Sequence, residues 1–145
     1  QHNSLDQYAQ RAIQLNSDIS KELLEQIFIK DSPLHDGGVI IRGNKIVCAG
    51  AYYVLTQDDS LDKTVGSRHR AGVGMSEVSD AVVVIVSEET GAISVAVSGM
   101  LKRHLAPQTL ERLLTNELCP NDAEEAKNLV VRLRQKLNWK GKEKQ

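Results

Sequence analysis

The sequence predicts an α/β protein: a single domain with a central mixed β-sheet flanked by helices on both faces. Three stretches carry that reading. Ala81-Val82-Val83-Val84-Ile85-Val86-Ser87 is an almost continuous β-branched run. Such a run implies a strand buried on both faces, hence helices on both sides of a sheet. Two β-rich runs, 38–42 and 45–54, surround Gly43-Asn44. That is a strong hairpin signal, so one strand pair is antiparallel and the sheet is mixed. Ile19, Leu23, Leu24, Ile27 and Phe28 recur at the helical period.

Residues 1–16 are polar and irregular, with helical character around Leu5, Tyr8 and Ile13. Ser17 or Asp18 caps a helix from about 18 to 30, and Glu22 lies within capping-box reach. Pro33 ends it, because the residue before proline resists the α conformation. After the hairpin comes a polar loop, 56–65, and Gly66 leads into a helix that continues to about Met75. Beyond the strand at 81–87, the turn Glu88-Glu89-Thr90-Gly91 feeds a strand at 92–97. Leu101 and Leu105 open a helical pattern that runs through Leu110, Leu113 and Leu114 to Leu118, where Pro120 stops it. Residues 121–145 read as a last helix, with Ala126, Leu129, Val130, Leu133 and Leu137 on one face, followed by a charged tail.

A chain of 145 residues is most simply one domain, 1–145. Eighteen basic and 19 acidic residues nearly cancel, so nothing points to a surface for a nucleic acid polymer. Cys48 and Cys119 lack metal-type spacing and read as reduced thiols of a cytoplasmic protein. No apolar run is long enough to span a bilayer, and no signal peptide is visible.

Chemistry concentrates in three places. Gly66-Ser67-Arg68-His69-Arg70-Ala71-Gly72 sits where a loop enters a helix. Unpaired amides, a dipole end and arginine forks suit an anion such as phosphate there. Taken alone, Arg-His-Arg also reads as a solvated basic turn. Upstream, Pro33-Leu34-His35-Asp36-Gly37-Gly38 places a metal- or proton-handling pair and two glycines at the mouth of a strand. Asp36 could bind a hard cation or take a proton from a hydroxyl, and His35 could add a nitrogen ligand. An ordinary Asp-Gly-Gly turn is the plainer alternative. Ser87-Glu88-Glu89 leaves the end of the most buried strand, where α/β sheets gather ligands. Glu88 on its own reads as a solvated turn residue. Tyr52 and Tyr53 point to opposite faces of a strand, so at most one stacks on a base while the other packs in the core. His2 and His104 read as surface residues without a role. The set suits phosphoryl or nucleotidyl transfer, and the residues alone reach as far as binding a nucleotide phosphate together with a divalent metal.

The two segments Pro33–Gly38 and Gly66–Ala71 resemble the paired signature motifs of the bacterial diadenylate cyclases, and Val86–Gly91 resembles a third segment of that family. Order and spacing agree, and the similarity runs from about Ser4 to His104. The likeness is greatest to the cytoplasmic domain of the membrane-anchored members, including the tail Trp139-Lys140-Gly141-Lys142. The resemblance implies condensation of two ATP into cyclic di-AMP with release of two pyrophosphates. The alternative is a non-catalytic ATP-binding regulatory module.

By the same resemblance, Asp36 helps hold the metal and activates the ribose 3′-hydroxyl, with His35 and Glu89 as further metal ligands. Gly37 and Gly38 meet the nucleotide through their backbone. Ser67, Arg68, His69, Arg70 and Ser87 grip the phosphates, and Glu88 falls in the ATP-binding set. Tyr52 stacks the adenine, with Leu34 and Met75 lining that pocket. A divalent metal is implied, and an imidazole beside a carboxylate suits Mn2+ or Co2+ at least as well as Mg2+. Each subunit holds one ATP, so a homodimer with facing sites is implied. Family members usually carry alanine where Gly38 stands and threonine where Ser67 stands. They also have a helix and a strand before the position of Gln1, so the chain reads as trimmed. The full-length protein is expected at the cytoplasmic face of the membrane, anchored by an N-terminal segment.

Overall fold

The computed structural model describes residues 5–118. The expected C-terminal helix and tail, Cys119, His2 and the Trp139–Lys142 segment lie outside the described residues. The α/β class is the one observed. Its elements are α1 (Asp6–Ala9), β1 (Ile13–Asp18), α2 (Lys21–Ile27), β2 (Gly38–Arg42), β3 (Lys45–Ala51), α3 (Ser67–Val78), β4 (Val83–Val86), β5 (Ile93–Val97), β6 (Met100–Leu105) and α4 (Pro107–Leu118).

The strands pair differently from the single mixed sheet expected. They form two three-stranded sheets, β1-β3-β2 and β4-β5-β6, and every pairing is antiparallel. The Gly43-Asn44 hairpin is present, with Arg42 opposite Lys45 and Gly43 at φ 59°. Two strands replace the helical patterns read from the sequence. Ile13–Asp18 joins the edge of β3 as β1, so the helix starts later, with Ser20 as its cap: Leu23 N–H donates to Ser20 Oγ at 3.1 Å. Met100–Leu105 is β6, folded back on β5 by a two-residue turn. Ser98 and Gly99 both have positive φ (49° and 80°), the twist that a tight hairpin needs. The helix then begins at Pro107, whose fixed φ suits a first helical position.

The valine run at β4 is not buried on both faces. Ile85 is 6% exposed, whereas Val84 and Val86 are 42% and 54% exposed. Antiparallel pairing with β5 leaves this strand an alternating pattern, and α3 covers the face that carries Ile85. Three clusters make the core. Ile40, Cys48 and Ala51 pack under Ala9 of α1, and Ile27 of α2 packs on Ile46 and Ala49. Val73 of α3 meets Ile85 and Ala96 of the second sheet. Helix α3 also ties the halves of the chain together, since Thr56 N–H donates to the Arg70 carbonyl at 3.1 Å and Thr56 Oγ1 to Glu77 Oε1 at 2.7 Å.

Candidate functional site

Helix α3 starts on Gly66, which has no side chain with which to cap it, and its first turn holds no acidic residue. Its opening amides and positive dipole end therefore face a cleft with no acidic side chain supplied by the helix itself. The cleft, about 330 Å³, is lined by Ser67, Arg68 and His69 of α3 and by Ser87, Glu88 and Glu89 of the β4–β5 turn. All three α3 residues and all three turn residues were named from the sequence, 18 residues or more apart, and the fold brings them to one place.

Within the cleft, Arg68 Nη2 donates to Glu88 Oε1 at 2.8 Å, so Glu88 is an ion-pair partner and not a bare turn residue. His69 Nε2 lies 3.3 Å from the buried Ser94 hydroxyl. Burial lowers the imidazole's pKa below the usual 6.5, and the positive charges of Arg103 and His104 lower it further. The turn itself is rigidly built: Ser87 N–H donates to Ala92 O and Gly91 N–H to Ser87 O, both at 2.9 Å. Arg70 does not line this cleft. It faces the loop before α3, where its charge helps lower the Asp58 carboxyl, after the stronger effect of hydrogen bonds from Ser60.

The first motif forms a second centre, on the loop between α2 and β2. His35 Nδ1 lies 2.7 Å from the Ser32 carbonyl, which can only accept, so Nδ1 carries a proton and, in the neutral imidazole, Nε2 offers the lone pair. Asp36 is exposed, and its Oδ2 accepts from the Tyr52 hydroxyl at 3.1 Å. That bond, followed by the carboxylate's charge, raises the Tyr52 phenol above its ordinary value. Gly37 has φ 92°, and a Cβ there would lie 2.7 Å from the Ala51 carbonyl oxygen, so the position requires glycine twice over. The two tyrosines divide as expected: Tyr52 is 69% exposed, and Tyr53 packs edge-on against Tyr8 with ring centroids 5.6 Å apart. Leu34 packs with the cluster around Ile27, and Met75 is buried in α3.

The three implied metal ligands are not gathered. Among the described residues no group of three or more His, Cys, Asp or Glu side chains could hold a metal ion. His35 and Asp36 stand together, and Glu89 is in the cleft. The His35–Asp36 pair still fits a divalent cation. A ligating imidazole ordinarily donates its other nitrogen to a carbonyl, as His35 does. Magnesium-type ions are commonly held by one or two protein groups plus substrate phosphates.

Sequence reasoning missed Ser94, Arg103 and, by dismissing it, His104, all of which line the cleft. The signal was Ser98-Gly99: read as a hairpin turn, it makes 100–105 a strand and returns these side chains to β5.

An uncapped helix start, arginine and hydroxyls in one cleft of an α/β fold define a nucleotide-binding class of protein. The chain belongs to the family described as DisA bacterial checkpoint controller nucleotide-binding (DAC), which matches residues 1–101. It is 42% identical over 135 residues to the cyclic di-AMP synthase CdaA of Bacillus subtilis (strain 168), covering 93% of this chain and 47% of that protein. It is 46% identical over 114 residues to a diadenylate cyclase of Listeria monocytogenes serotype 1/2a, covering 79% of this chain and 42% of that one. Among solved structures, a double cysteine mutant of DacA from Staphylococcus aureus superposes with a TM-score of 0.78 at 46% identity, covering 82% of this chain and 79% of that one. A protein from Bacillus cereus described as a hypothetical membrane spanning protein gives 0.68 at 40% identity, over 73% of this chain and 52% of that one. The chain spans about half the length of the curated relatives it matches. Among the described residues, no helix is long and apolar enough to cross a membrane.

Proposed function

We propose that this chain is the catalytic domain of a diadenylate cyclase, condensing two ATP into cyclic di-AMP and two pyrophosphates where two subunits face each other. The observation that carries this reading is the shared cleft of Ser67–His69 and Ser87–Glu89. The names of relatives at 42% and 46% identity support it. Residues 1–145 are read as one catalytic domain, with 121–145 as its C-terminal helix and tail.

Ser67, Arg68, His69, Arg70 and Ser87 bind the phosphates in this reading, with Glu88 orienting Arg68 through their 2.8 Å bond. Tyr52 offers an exposed ring to the adenine in this reading, with Leu34 and Met75 assigned to the same pocket. Asp36 accepts the proton of the ribose 3′-hydroxyl, and Gly37 and Gly38 let the nucleotide approach their backbone. A divalent cation, when bound at His35 and Asp36, would neutralise charge developing at the α-phosphate; Glu89 is its third candidate ligand. A two-fold contact would let each 3′-hydroxyl attack the other nucleotide's α-phosphate. The likeness to a membrane-spanning protein supports anchoring of a longer protein at the cytoplasmic face of the membrane.

The test is to incubate the chain with ATP and manganese, cobalt or magnesium and to analyse products by chromatography and mass spectrometry. Cyclic di-AMP with pyrophosphate is expected, and Asp36→Asn should abolish it while the fold persists. ATP binding without any product would refute the catalytic reading.

A further inference from the structure

In a regular strand, successive side chains point to opposite faces. Arg103 and His104 are successive residues of β6, yet both line the cleft. The cause is a β-bulge. Ile93 pairs with Leu105 and Val95 with Lys102, so the single residue Ser94 faces both Arg103 and His104. His104 takes φ 56°, a left-handed conformation uncommon outside glycine, to make the turn. Bulges of this kind re-aim side chains beside functional sites.

The arginines of the cleft are not equivalent. Arg68 is engaged by Glu88 at 2.8 Å. Arg103 is exposed and makes no ion pair among the described residues. Its charge nevertheless reaches the cleft's interior, where, after the larger effect of burial, it helps lower the His69 imidazole below its ordinary value. A bulged strand thus presents a guanidinium that makes no ion pair among the described residues, though its charge is felt by the Asp62 carboxyl, beside a helix whose first turn has no acidic residue.

Resting on the cyclase reading, we propose that Arg103, carried into the cleft by the β6 bulge, binds the terminal phosphates of ATP that leave as pyrophosphate. Its planar fork matches two phosphate oxygens at once. His104, turned inward by the same bulge, lines the wall beside it.

Calorimetry with magnesium and three probes, ATP, pyrophosphate and AMP, tests this. Arg103→Ala is expected to weaken ATP and pyrophosphate about tenfold or more and to leave AMP unchanged. Arg103→Lys should fall between the two, keeping charge without the fork. Lys102→Ala, one residue away and outside the cleft lining, should bind all three as the parent does. Parent-like binding of ATP and pyrophosphate by Arg103→Ala would overturn the proposal. Equal weakening of all three probes would also overturn it, making Arg103 a residue that holds the site's shape. A parent chain that binds neither ATP nor pyrophosphate would overturn the cyclase reading together with this inference, a result distinct from the other two.

Discussion

The Tyr52 hydroxyl donates to Asp36 Oδ2 at 3.1 Å, joining an exposed aromatic ring at the end of β3 to the carboxylate at the mouth of β2. If the ring stacks the base and the carboxylate takes the hydroxyl proton, this bond sets one against the other. Tyr52→Phe keeps the ring and deletes the donor. It should lower kcat roughly threefold or more, with KM for ATP changed less than about twofold, as fits one exposed hydrogen bond. Tyr52→Ala removes the platform and should raise KM about tenfold. Steady-state kinetics separates the two, and a Tyr52→Phe enzyme with parent kcat would show the bond to be idle.

Gly38 answers to the neighbouring tyrosine. A Cβ at Gly38 would lie 2.7 Å from the Tyr53 hydroxyl and 2.9 Å from its Cζ. Tyr53 is itself held against Tyr8, and burial pushes its phenol up to about 12. An alanine at this position therefore does not fit this chain's packing. Gly38→Ala should cost about 1–3 kcal/mol. Combined with Tyr53→Leu, it should cost less than the sum of the single changes by at least ~1 kcal/mol in a double-mutant cycle. Strict additivity in urea denaturation would refute the pairing.

His69 should titrate below 6.5, because burial and then the charges of Arg103 and His104 disfavour its imidazolium. The sign follows from linkage. The unfolded chain takes its proton first as pH falls, so the contribution of neutral His69 is full above about 6.5 and is lost as pH falls through the folded value. The Cε1–H resonance should show a midpoint under 6.5, and His69→Gln should lose less stability than the parent on going from about pH 7 to about pH 5. A midpoint at or above 6.5 would remove the argument.

How much of this was legible in the sequence depended on which signal each segment carried. The Gly43-Asn44 hairpin and the Gly66 helix start were readable because turn and cap chemistry is local. β1 and β6 were not, since Ile13 and Leu15 before α2, and Leu101 and Leu105 before α4, continue the helical spacing of the helices that follow. Val84 and Val86 misled in the opposite way: β-branching reports strand propensity and cannot report which face is covered. At the site, residues carried by motifs were found, whereas Arg103 and His104 depended on a bulge whose register no local pattern announces.

Two glycines of α3 differ in a way that stability measurements can resolve. A Cβ at Gly72 would meet side chains only, Ile85 Cδ1 at 2.8 Å and Cγ1 at 2.9 Å and Val83 Cγ1 at 3.3 Å, which can give more readily than backbone. A Cβ at Gly74 would meet backbone, Thr56 N at 2.8 Å and Leu55 C at 3.1 Å, in a segment already fixed by the bonds from Thr56 to Arg70 and Glu77. Backbone cannot rotate away, so the helix must lift. Gly74→Ala should therefore destabilise by about 2–3 kcal/mol, net of alanine's better helix propensity, and Gly72→Ala by roughly 1 kcal/mol or less. Because α3 also carries Ser67–His69, Gly74→Ala should weaken ATP binding as well, while Gly72→Ala leaves it near the parent value. Equal destabilisation by the two substitutions would show that segment 54–56 yields as readily as a side chain.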